Sequence, residues 1–171
     1  STLTDNVNVI RSAEKVILPG VGAAPIAMQR LASAGLIDCI RTLQQPVLGI
    51  CLGMQLLFSR STEGNTPLLG LFDATCTAFI PNPQRSVPHM GWNQLVFLQD
   101  HPLLAGVDTG AHVYFVHSYF APVTTQTIAE CSYGHDFIAI VGKKNFIGCQ
   151  FHPEKSQSDG LILLKNFSNL C

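Results

Sequence analysis

The chain has 171 residues, of which 47% are hydrophobic and 12% are charged, and its formal net charge at pH 7 is -1. A chain of this length can bury the core of one domain, and we expect residues 1–171 to form one. The nearly balanced charge gives no reason to expect nucleic acid or an acidic membrane surface as a partner. Apolar stretches stay well short of the roughly 20 residues of a membrane span, and no signal peptide is recognised.

Six cysteines are scattered along the chain without any C-x-x-C pair: Cys39, Cys51, Cys76, Cys131, Cys149 and Cys171. The ligand spacing of metal sites is therefore missing, and we expect neither a metal nor a redox cofactor. Most of these residues are expected to be buried free thiols, which are typical of a reducing compartment. The cysteine pattern therefore favours the cytoplasm.

The first half of the chain alternates predicted strands and helices. Lys15–Leu18 is rich in β-forming residues and stops at a Pro-Gly turn, which predicts a short strand. Pro25–Leu43 is predicted as a helix interrupted near Gly35, because proline is tolerated in a first turn. Pro46–Ile50 is predicted as a buried strand and Leu52–Arg60 as a helix.

The second half is predicted to be mainly β. The predicted strands are Ala74–Ile80, Gln94–Leu98, His112–Ser118, Thr127–Tyr133, Phe137–Val141 and Phe146–Phe151. Ser158–Leu170 is predicted as a closing amphipathic helix with Ser158 or Asp159 near its N-cap. This order of elements predicts an α/β fold with a mixed, partly parallel central sheet and flanking helices.

Residues 49–53 read G-x-C-x-G, a thiol version of the nucleophile elbow. A sharp strand-to-helix turn would strain the backbone of Cys51, and the flanking glycines would leave room for it. At the start of a helix the dipole favours the thiolate, and the Leu52 amide is free to donate to a developing oxyanion. On this motif alone, a buried structural cysteine is an open alternative.

The segment QFHPE near the C-terminus has the groups that a thiol nucleophile needs. Glu154 follows His152 by two positions, and an extended backbone, favoured by Pro153, places both side chains on one face. The two motifs together predict a triad in which Cys51 attacks, His152 transfers protons and Glu154 orients the imidazole. His117 has no carboxylate two positions later, and we expect it to be structural or to support the site indirectly.

The motifs GICLGMQ and QFHPE are those by which the chain resembles the class I (triad-type) glutamine amidotransferases, which hydrolyse glutamine and pass the ammonia to a synthase. Three further motifs, LPGVG, PHMGWN and YFVHSY, narrow the resemblance to the glutaminase subunits of imidazole glycerol phosphate synthases, which act in histidine biosynthesis. The resemblance covers essentially the whole chain. It implies one amidotransferase domain of flavodoxin-like fold, with a smaller antiparallel β portion and no cofactor.

The resemblance also implies roles for residues around the triad. It assigns the oxyanion hole to Gly20, Val21 and Leu52, and the binding of glutamine to Gly22, Gln55, Ser118 and Tyr119. Gln55 lies one helical turn after Cys51 and is expected to face the same side. A peptide plane flanked by glycine rotates at low cost, so we expect the Val21 N–H to point away from the oxyanion at rest.

The partner implied by the resemblance is a TIM-barrel cyclase subunit, with which the chain would form a heterodimer. The implied interface consists of Met90, Trp92, Asn93, Tyr114 and Lys155. Without the resemblance, Trp92, the only tryptophan, is predicted to be a buried core residue in the loop Pro88–Asn93. Lys155 matches a family position that pairs with an acidic residue of the barrel.

Members of this family begin with a strand and a helix upstream of the first strand seen here, a stretch of roughly 25 to 30 residues. Ser1–Asn8 looks like the tail of a preceding element. We therefore expect an N-terminally truncated sequence in which this first βα unit is absent.

Other functions are consistent with part of the sequence. The nearest alternative is the glutaminase of anthranilate or aminodeoxychorismate synthase. A cysteine peptidase or stress-type hydrolase of related fold would also use the elbow, but it would not account for LPGVG and PHMGWN. A non-catalytic binding subunit would not need Cys51, His152 and Glu154 together. Release of glutamate from glutamine distinguishes these classes.

Overall fold

The computed structural model describes residues 1–83 and 85–170, so that Cys171 lies outside the described residues. Five α-helices are present among them: α1 (Val7–Ser12), α2 (Ala24–Ser33), α3 (Leu36–Arg41), α4 (Leu52–Leu56) and α5 (Gln157–Asn169). The strands are β1 (Val16–Leu18), β2 (Val47–Ile50), β3 (Phe58–Ser61), β4 (Thr66–Pro67), β5 (Phe72–Ala78), β6 (His89–Gln94), β7 (Val96–Phe97), β8 (His112–His117), β9 (Tyr119–Phe120), β10 (Thr127–Ser132), β11 (Asp136–Lys143) and β12 (Phe146–Cys149).

The central sheet has the strand order β1-β2-β12-β11-β10-β7. Strands β1, β2 and β12 run parallel, and the other neighbours pair antiparallel. A four-stranded sheet (β4-β3-β5-β9) and the antiparallel pair β6-β8 lie beside it. The prediction of a mixed, partly parallel sheet with a smaller antiparallel portion is confirmed.

Two hydrophobic clusters cover the central sheet. Val47 belongs to a cluster that includes α3 and α4, whereas the next residue, Leu48, belongs to a cluster that includes Leu163 and Phe167 of α5. Alternate side chains of β2 therefore enter different layers, which explains why this strand is apolar at every position. None of the helices in the described residues is long and apolar enough to span a membrane.

Several predicted boundaries are wrong. The predicted helix Leu52–Arg60 ends at Leu56, because Phe58 turns into the four-stranded sheet, where it is fully buried and packs on Phe72 with ring centroids 5.4 Å apart. The segment contains no β-branched residue, so its composition did not indicate a strand. The supposed tail Ser1–Asn8 includes the start of α1, whose first turn is capped by the Asn6 side chain.

The region around residues 88–98 also differs from the prediction. The expected loop Pro88–Asn93 is mostly strand β6, and the expected strand Gln94–Leu98 is divided at Leu95. Leu95 is fully buried where the chain passes from the β6-β8 pair to the edge of the central sheet. Glycine and proline in PHMGWN indicated a loop, but pairing with β8 overrides this local preference. The N-cap position of the final helix is Ser156, not the predicted Ser158 or Asp159, and the Ser156 side chain makes no capping hydrogen bond.

The ends of the three parallel strands bring the predicted motifs together. The LPGVG loop begins at the last residue of β1, the elbow follows β2, and the QFHPE segment follows β12. The carboxyl ends of parallel neighbours meet at one edge of the sheet, where ligands of open α/β sheets bind. This edge is therefore the candidate functional site.

Candidate active site

Cys51 lies on a strained elbow between β2 and α4. Its backbone has φ 53° and ψ -112°, outside the regions that non-glycine residues usually adopt. The elbow also requires its glycines: a Cβ on Gly53 would lie 1.8 Å from the Leu18 carbonyl oxygen, and one on Gly49 would lie 2.8 Å from backbone atoms of Gly53 and Met54. The structure thus agrees with the geometry predicted from G-x-C-x-G.

His152 and Glu154 form a preassembled pair. His152 Nδ1 lies 2.7 Å from Glu154 Oε1, and its other ring nitrogen, Nε2, is buried without a hydrogen-bond partner in the described part of the chain. The predicted reason for this pairing is wrong in part. His152 is extended, with φ -98° and ψ 97°, but Pro153–Lys155 forms a 3₁₀ turn that brings the carboxylate back toward the imidazole.

One cavity of about 380 Å³ joins the elbow to His152. It is lined by Val21, Gly22, Cys51, Leu52, Gln55, Glu63, Pro88, Val116, His117, Ser118, Tyr119 and His152. All four residues predicted to bind glutamine are among them. Glu154 lies behind His152, with about half of its side chain exposed.

The Cys51 thiol is not poised as a thiolate in this structure. Burial raises its pKa to about 11, an effect that exceeds the opposing influence of the neighbouring Leu52 backbone amide. The sulfur lies 3.8 Å from the Val116 carbonyl oxygen, an arrangement that suits a protonated thiol as donor. The expectation that the helix dipole favours the thiolate is therefore wrong for this state, because α4 has only five residues and desolvation dominates.

The predicted oxyanion hole is incomplete. The Leu52 N–H donates to the Gly20 carbonyl at 3.3 Å, so the amide expected to receive the oxyanion is already occupied. Because the C=O and N–H of a trans peptide point in opposite directions, the Val21 N–H points away from Leu52. This is the resting orientation that the sequence predicts. Val21 itself is 84% exposed at the mouth of the cavity.

The amide of Gln55 is held inside the cavity wall. Gln55 Nε2 donates to the Tyr119 carbonyl at 2.9 Å and to Gln150 Oε1 at 3.0 Å. Gln150, which sequence reasoning missed, is fully buried, and its own amide lies 3.9 Å from Cys51 Sγ. Its place in the QFHPE motif, one strand away from the elbow, was the available signal.

Glu63 is a second cavity residue that sequence reasoning missed. Its carboxylate accepts a hydrogen bond from the Ala24 N–H at 2.7 Å and faces the cavity beside Gly22, whose φ is 96°. No local pattern marked Glu63, because it reaches the site through the turn after β3. His117, in contrast, has both ring nitrogens engaged, with His89 and with the Tyr119 carbonyl, in agreement with a structural role.

Comparisons with known proteins identify the fold and the family. The model of the glutamine amidotransferase class-I family matches residues 4–169. The chain belongs to this family. Subunit HisH of imidazole glycerol phosphate synthase from Pasteurella multocida is 50% identical over 165 residues, which cover 96% of this chain and 83% of that protein. The HisH subunit from Xylella fastidiosa is 52% identical over 158 residues, covering 92% and 79%.

A solved structure of low sequence identity shares the fold. The glutaminase domain of Trypanosoma brucei CTPS, solved with bound acivicin, superposes with a TM-score of 0.66 at 14% identity and covers 96% of this chain and 75% of that one. At this identity the likeness shows the fold alone. The predicted class I amidotransferase fold is confirmed.

Four of the five residues predicted to face a partner of this amidotransferase form one surface patch. Met90 and Trp92 are 62% and 46% exposed. The Trp92 ring packs edge-on against Tyr114 at 6.0 Å, and Lys155 Nζ lies 5.9 Å from the centre of the Tyr114 ring. Asn93 is separate, because alternation along β6 turns it to the opposite face, where it donates to the Ser132 carbonyl at 2.9 Å.

Proposed function

We propose that this chain is the glutaminase subunit of imidazole glycerol phosphate synthase. It would hydrolyse glutamine to glutamate and ammonia and pass the ammonia to a cyclase subunit that makes imidazole glycerol phosphate and AICAR in histidine biosynthesis. The observation that carries this proposal is one cavity lined by Cys51 and by His152, which is paired with Glu154, in a chain 50% identical to a HisH subunit over 96% of its length.

The chemistry follows from the free Nε2 of His152. Glu154 accepts from Nδ1–H, so a neutral His152 has its lone pair on Nε2 and can take the Cys51 proton. The sulfur attacks the side-chain carbonyl carbon of glutamine, and the oxygen becomes an oxyanion. The imidazolium then protonates the leaving nitrogen, ammonia departs, and a γ-glutamyl thioester is left on Cys51. A water deprotonated by His152 releases glutamate and restores the thiol.

We assign the oxyanion hole to Gly20, Val21 and Leu52. Rotation of the Gly20–Val21 peptide would withdraw the Gly20 carbonyl from the Leu52 amide and turn the Val21 N–H toward the oxyanion. Each donor gained in this way is worth about 100- to 1000-fold in rate, so the value for one donor is a lower limit for the rotation. The resting hydrogen bond from Leu52 to Gly20 supports this control, because it must break before the hole can form.

The cavity has groups for both ends of glutamine. We assign Gln55, Gly22 and the Ser118–Tyr119 peptide to the binding of the substrate. Glu63 is the carboxylate among the cavity-lining residues, and its charge suits the α-ammonium group of glutamine. A substrate with an α-ammonium group would therefore bind with that group beside the Glu63 carboxylate.

We further propose that the partner is a TIM-barrel cyclase and that the two form a heterodimer. The exposed patch of Met90, Trp92, Tyr114 and Lys155 has the aromatic, Met and cationic character of an interface core with a charged rim. The relatives are named as subunits of a synthase, which supports association of this chain with another subunit. We propose the cytoplasm as the compartment, since five described cysteines are buried free thiols.

The test is glutamate release with defined partners. We expect the chain to release glutamate when mixed with the cyclase subunit and its nucleotide ligand, and to remain slow with anthranilate or aminodeoxychorismate synthase. Faster release with either of those synthases would reassign the chain to it. Hydrolysis of peptides or esters in place of glutamine would favour a cysteine hydrolase of related fold.

A further inference from the structure

Two histidines lie directly opposite each other behind the cavity wall. His89 of β6 pairs with His117 of β8 in the strand register, and the side chains are only 3% and 5% exposed. His89 Nδ1 lies 2.9 Å from His117 Nε2. The His89 ring is stacked between Tyr133 and Phe115, at centroid distances of 4.1 and 4.9 Å. Such an apolar setting favours neutral rings, and burial lowers the pKa of His89 to about 4 and that of His117 to about 3.

The hydrogen bonds of a neutral pair can run in only one direction. The Tyr119 carbonyl, 2.8 Å from His117 Nδ1, can only accept, so Nδ1 of His117 carries the proton. Its Nε2 must then accept from His89 Nδ1–H, which leaves His89 Nε2 as an acceptor as well. Asn93 Nδ2 lies 3.4 Å from that nitrogen and can donate to it.

The amide of Asn93 has its own orientation fixed by the backbone. Its oxygen accepts from the Gln94 N–H at 2.8 Å, and its nitrogen donates to the Ser132 carbonyl at 2.9 Å. The amide therefore presents its second N–H to His89. The donor and the acceptor of each hydrogen bond from Asn93 through His89 and His117 to the Tyr119 carbonyl are thereby determined.

This series of hydrogen bonds ends at the Tyr119 carbonyl, which also accepts from Gln55, a residue proposed to bind glutamine. The Tyr119 carbonyl accepts from His117 Nδ1 and from Gln55 Nε2, the latter at 2.9 Å, and both Gln55 and Tyr119 line the cavity. If His117 did not donate, this carbonyl would lose one of its two side-chain donors, and the Gln55 amide, whose other partner is Gln150, would be held less firmly. The hydrogen bonds that begin at Asn93 thus reach the substrate cavity without contact with the reacting atoms.

We propose that Asn93, His89 and His117 form a hydrogen-bond relay of fixed polarity that anchors the Tyr119 carbonyl and thereby sets the affinity for glutamine. His89 and His117 are positioning residues in this relay. The inference rests on the proposed function, since it takes glutamine as the occupant of the cavity. It adds a role for the two histidines that the acid–base chemistry at His152 does not use.

The tautomers of the unaltered chain test the relay without any substitution. Two-bond ¹⁵N–¹H correlation spectra of the labelled full-length chain at neutral pH should show both rings neutral and protonated at Nδ1. Free neutral histidine favours the other tautomer, so this result is not expected from a merely packed ring. A proton on Nε2 of either residue, or a charged ring, would overturn the inference.

Matched variants test the effect on glutamine binding. In a Cys51→Ala background, His117→Phe keeps a ring but removes the donor, and we expect affinity for glutamine measured by calorimetry to fall about 5- to 10-fold, as for one lost hydrogen bond. His117→Asn places an amide N–H near the former Nδ1 and should restore most of that loss. The control His112→Phe, on the exposed end of β8, should bind like the parent.

Kinetics of the complex with the cyclase separate positioning from chemistry. His117→Phe should raise KM for glutamine more than it lowers kcat, because the relay does not contact the reacting atoms. A folded His117→Phe variant with parental affinity would overturn the relay. If the Cys51→Ala parent binds no glutamine, the proposed function fails, while the tautomer spectra still decide the relay. The same spectra decide it if the Phe variant does not fold.

Discussion

The residues proposed for acid–base catalysis and those proposed for the oxyanion hole differ in how far they are already arranged for their roles. His152 and Glu154 are in contact at 2.7 Å, and His152 Nε2 is free to accept a proton. On the other side of the cavity, the Leu52 amide is hydrogen-bonded to the Gly20 carbonyl. The groups proposed for proton transfer are thus already in contact, whereas the groups proposed to stabilise the oxyanion are not yet oriented toward it.

This difference indicates where a partner can exert control. Stabilisation of the developing oxyanion is usually the largest single contribution to such catalysis, and it depends on donors placed before reaction. A peptide beside a glycine can change orientation with little movement elsewhere, whereas the His152–Glu154 pair is fixed by a proline-led turn. Control at the oxyanion side would prevent waste of glutamine and leave the rest of the site intact.

Removal of the nucleophile should have the largest effect. Cys51→Ala is expected to lower glutamate release by the cyclase complex by about a million-fold, the scale measured when a hydrolase loses its nucleophile. The matched control Cys39→Ala removes another buried thiol, from α3, and should keep the parental rate. Undiminished release by Cys51→Ala would assign the attack to another group.

The charge state of the thiol comes next. Because burial raises the pKa of Cys51 to about 11, alkylation by iodoacetamide should accelerate about tenfold per pH unit between pH 7 and pH 10. Peptide mapping by mass spectrometry would follow Cys51 separately from the other cysteines. A plateau in its rate below pH 8 would mean that the resting nucleophile is already a thiolate.

Loss of the orienting carboxylate should have a smaller effect. We expect Glu154→Gln to lower kcat about 100-fold, less than the roughly 10,000-fold seen for a buried triad carboxylate, because half of the Glu154 side chain is exposed. Glutamine binding, measured in the Cys51→Ala background, should not change. A large loss of binding would instead place Glu154 in the substrate pocket.

The smallest expected effect is on the free energy of unfolding at acidic pH. His89 and His117 have lowered pKa values in the folded chain, so below about pH 6.5 the unfolded chain binds protons that the folded chain does not. Stability should therefore fall as the pH falls from 6.5 toward 4. Each histidine contributes up to about 1.4 kcal/mol per pH unit. Urea unfolding at pH 7, 6 and 5 should show a weaker decline for His117→Phe, and an unchanged decline would contradict neutral burial.

The parts of the site that sequence could predict are those encoded by short segments. Glycine spacing fixes the strained turn at Cys51, and only Pro153 separates His152 from Glu154, so neither feature depends on distant packing. Glu63 could not be predicted, because only the pairing of β3 with its neighbours brings it to the cavity. The raised pKa of Cys51 could not be predicted either, because it depends on burial by many residues.

In the fold as well, features encoded by short segments could be predicted, and features that depend on tertiary packing could not. Strands in the apolar interior, such as β2 and β11, can be predicted from their composition. Strand β6 cannot, because a glycine such as Gly91 is more typical of a loop. The opposed pair His89 and His117 needs the register of β6 against β8, which no local pattern determines. Sequence thus predicts local chemistry well, and the tertiary register decides which residues support it.

The most direct test of the central claim is the rate of glutamate release by the unaltered chain in three states. The chain alone and the chain with the cyclase subunit should both be slow, because the Leu52 amide is still occupied by Gly20. Addition of the nucleotide ligand of the cyclase should raise the rate about 100- to 1000-fold, the scale of one oxyanion donor. If the chain alone releases glutamate as fast as the liganded complex, the oxyanion hole is not the point of control, and a free-standing glutaminase is the correct account.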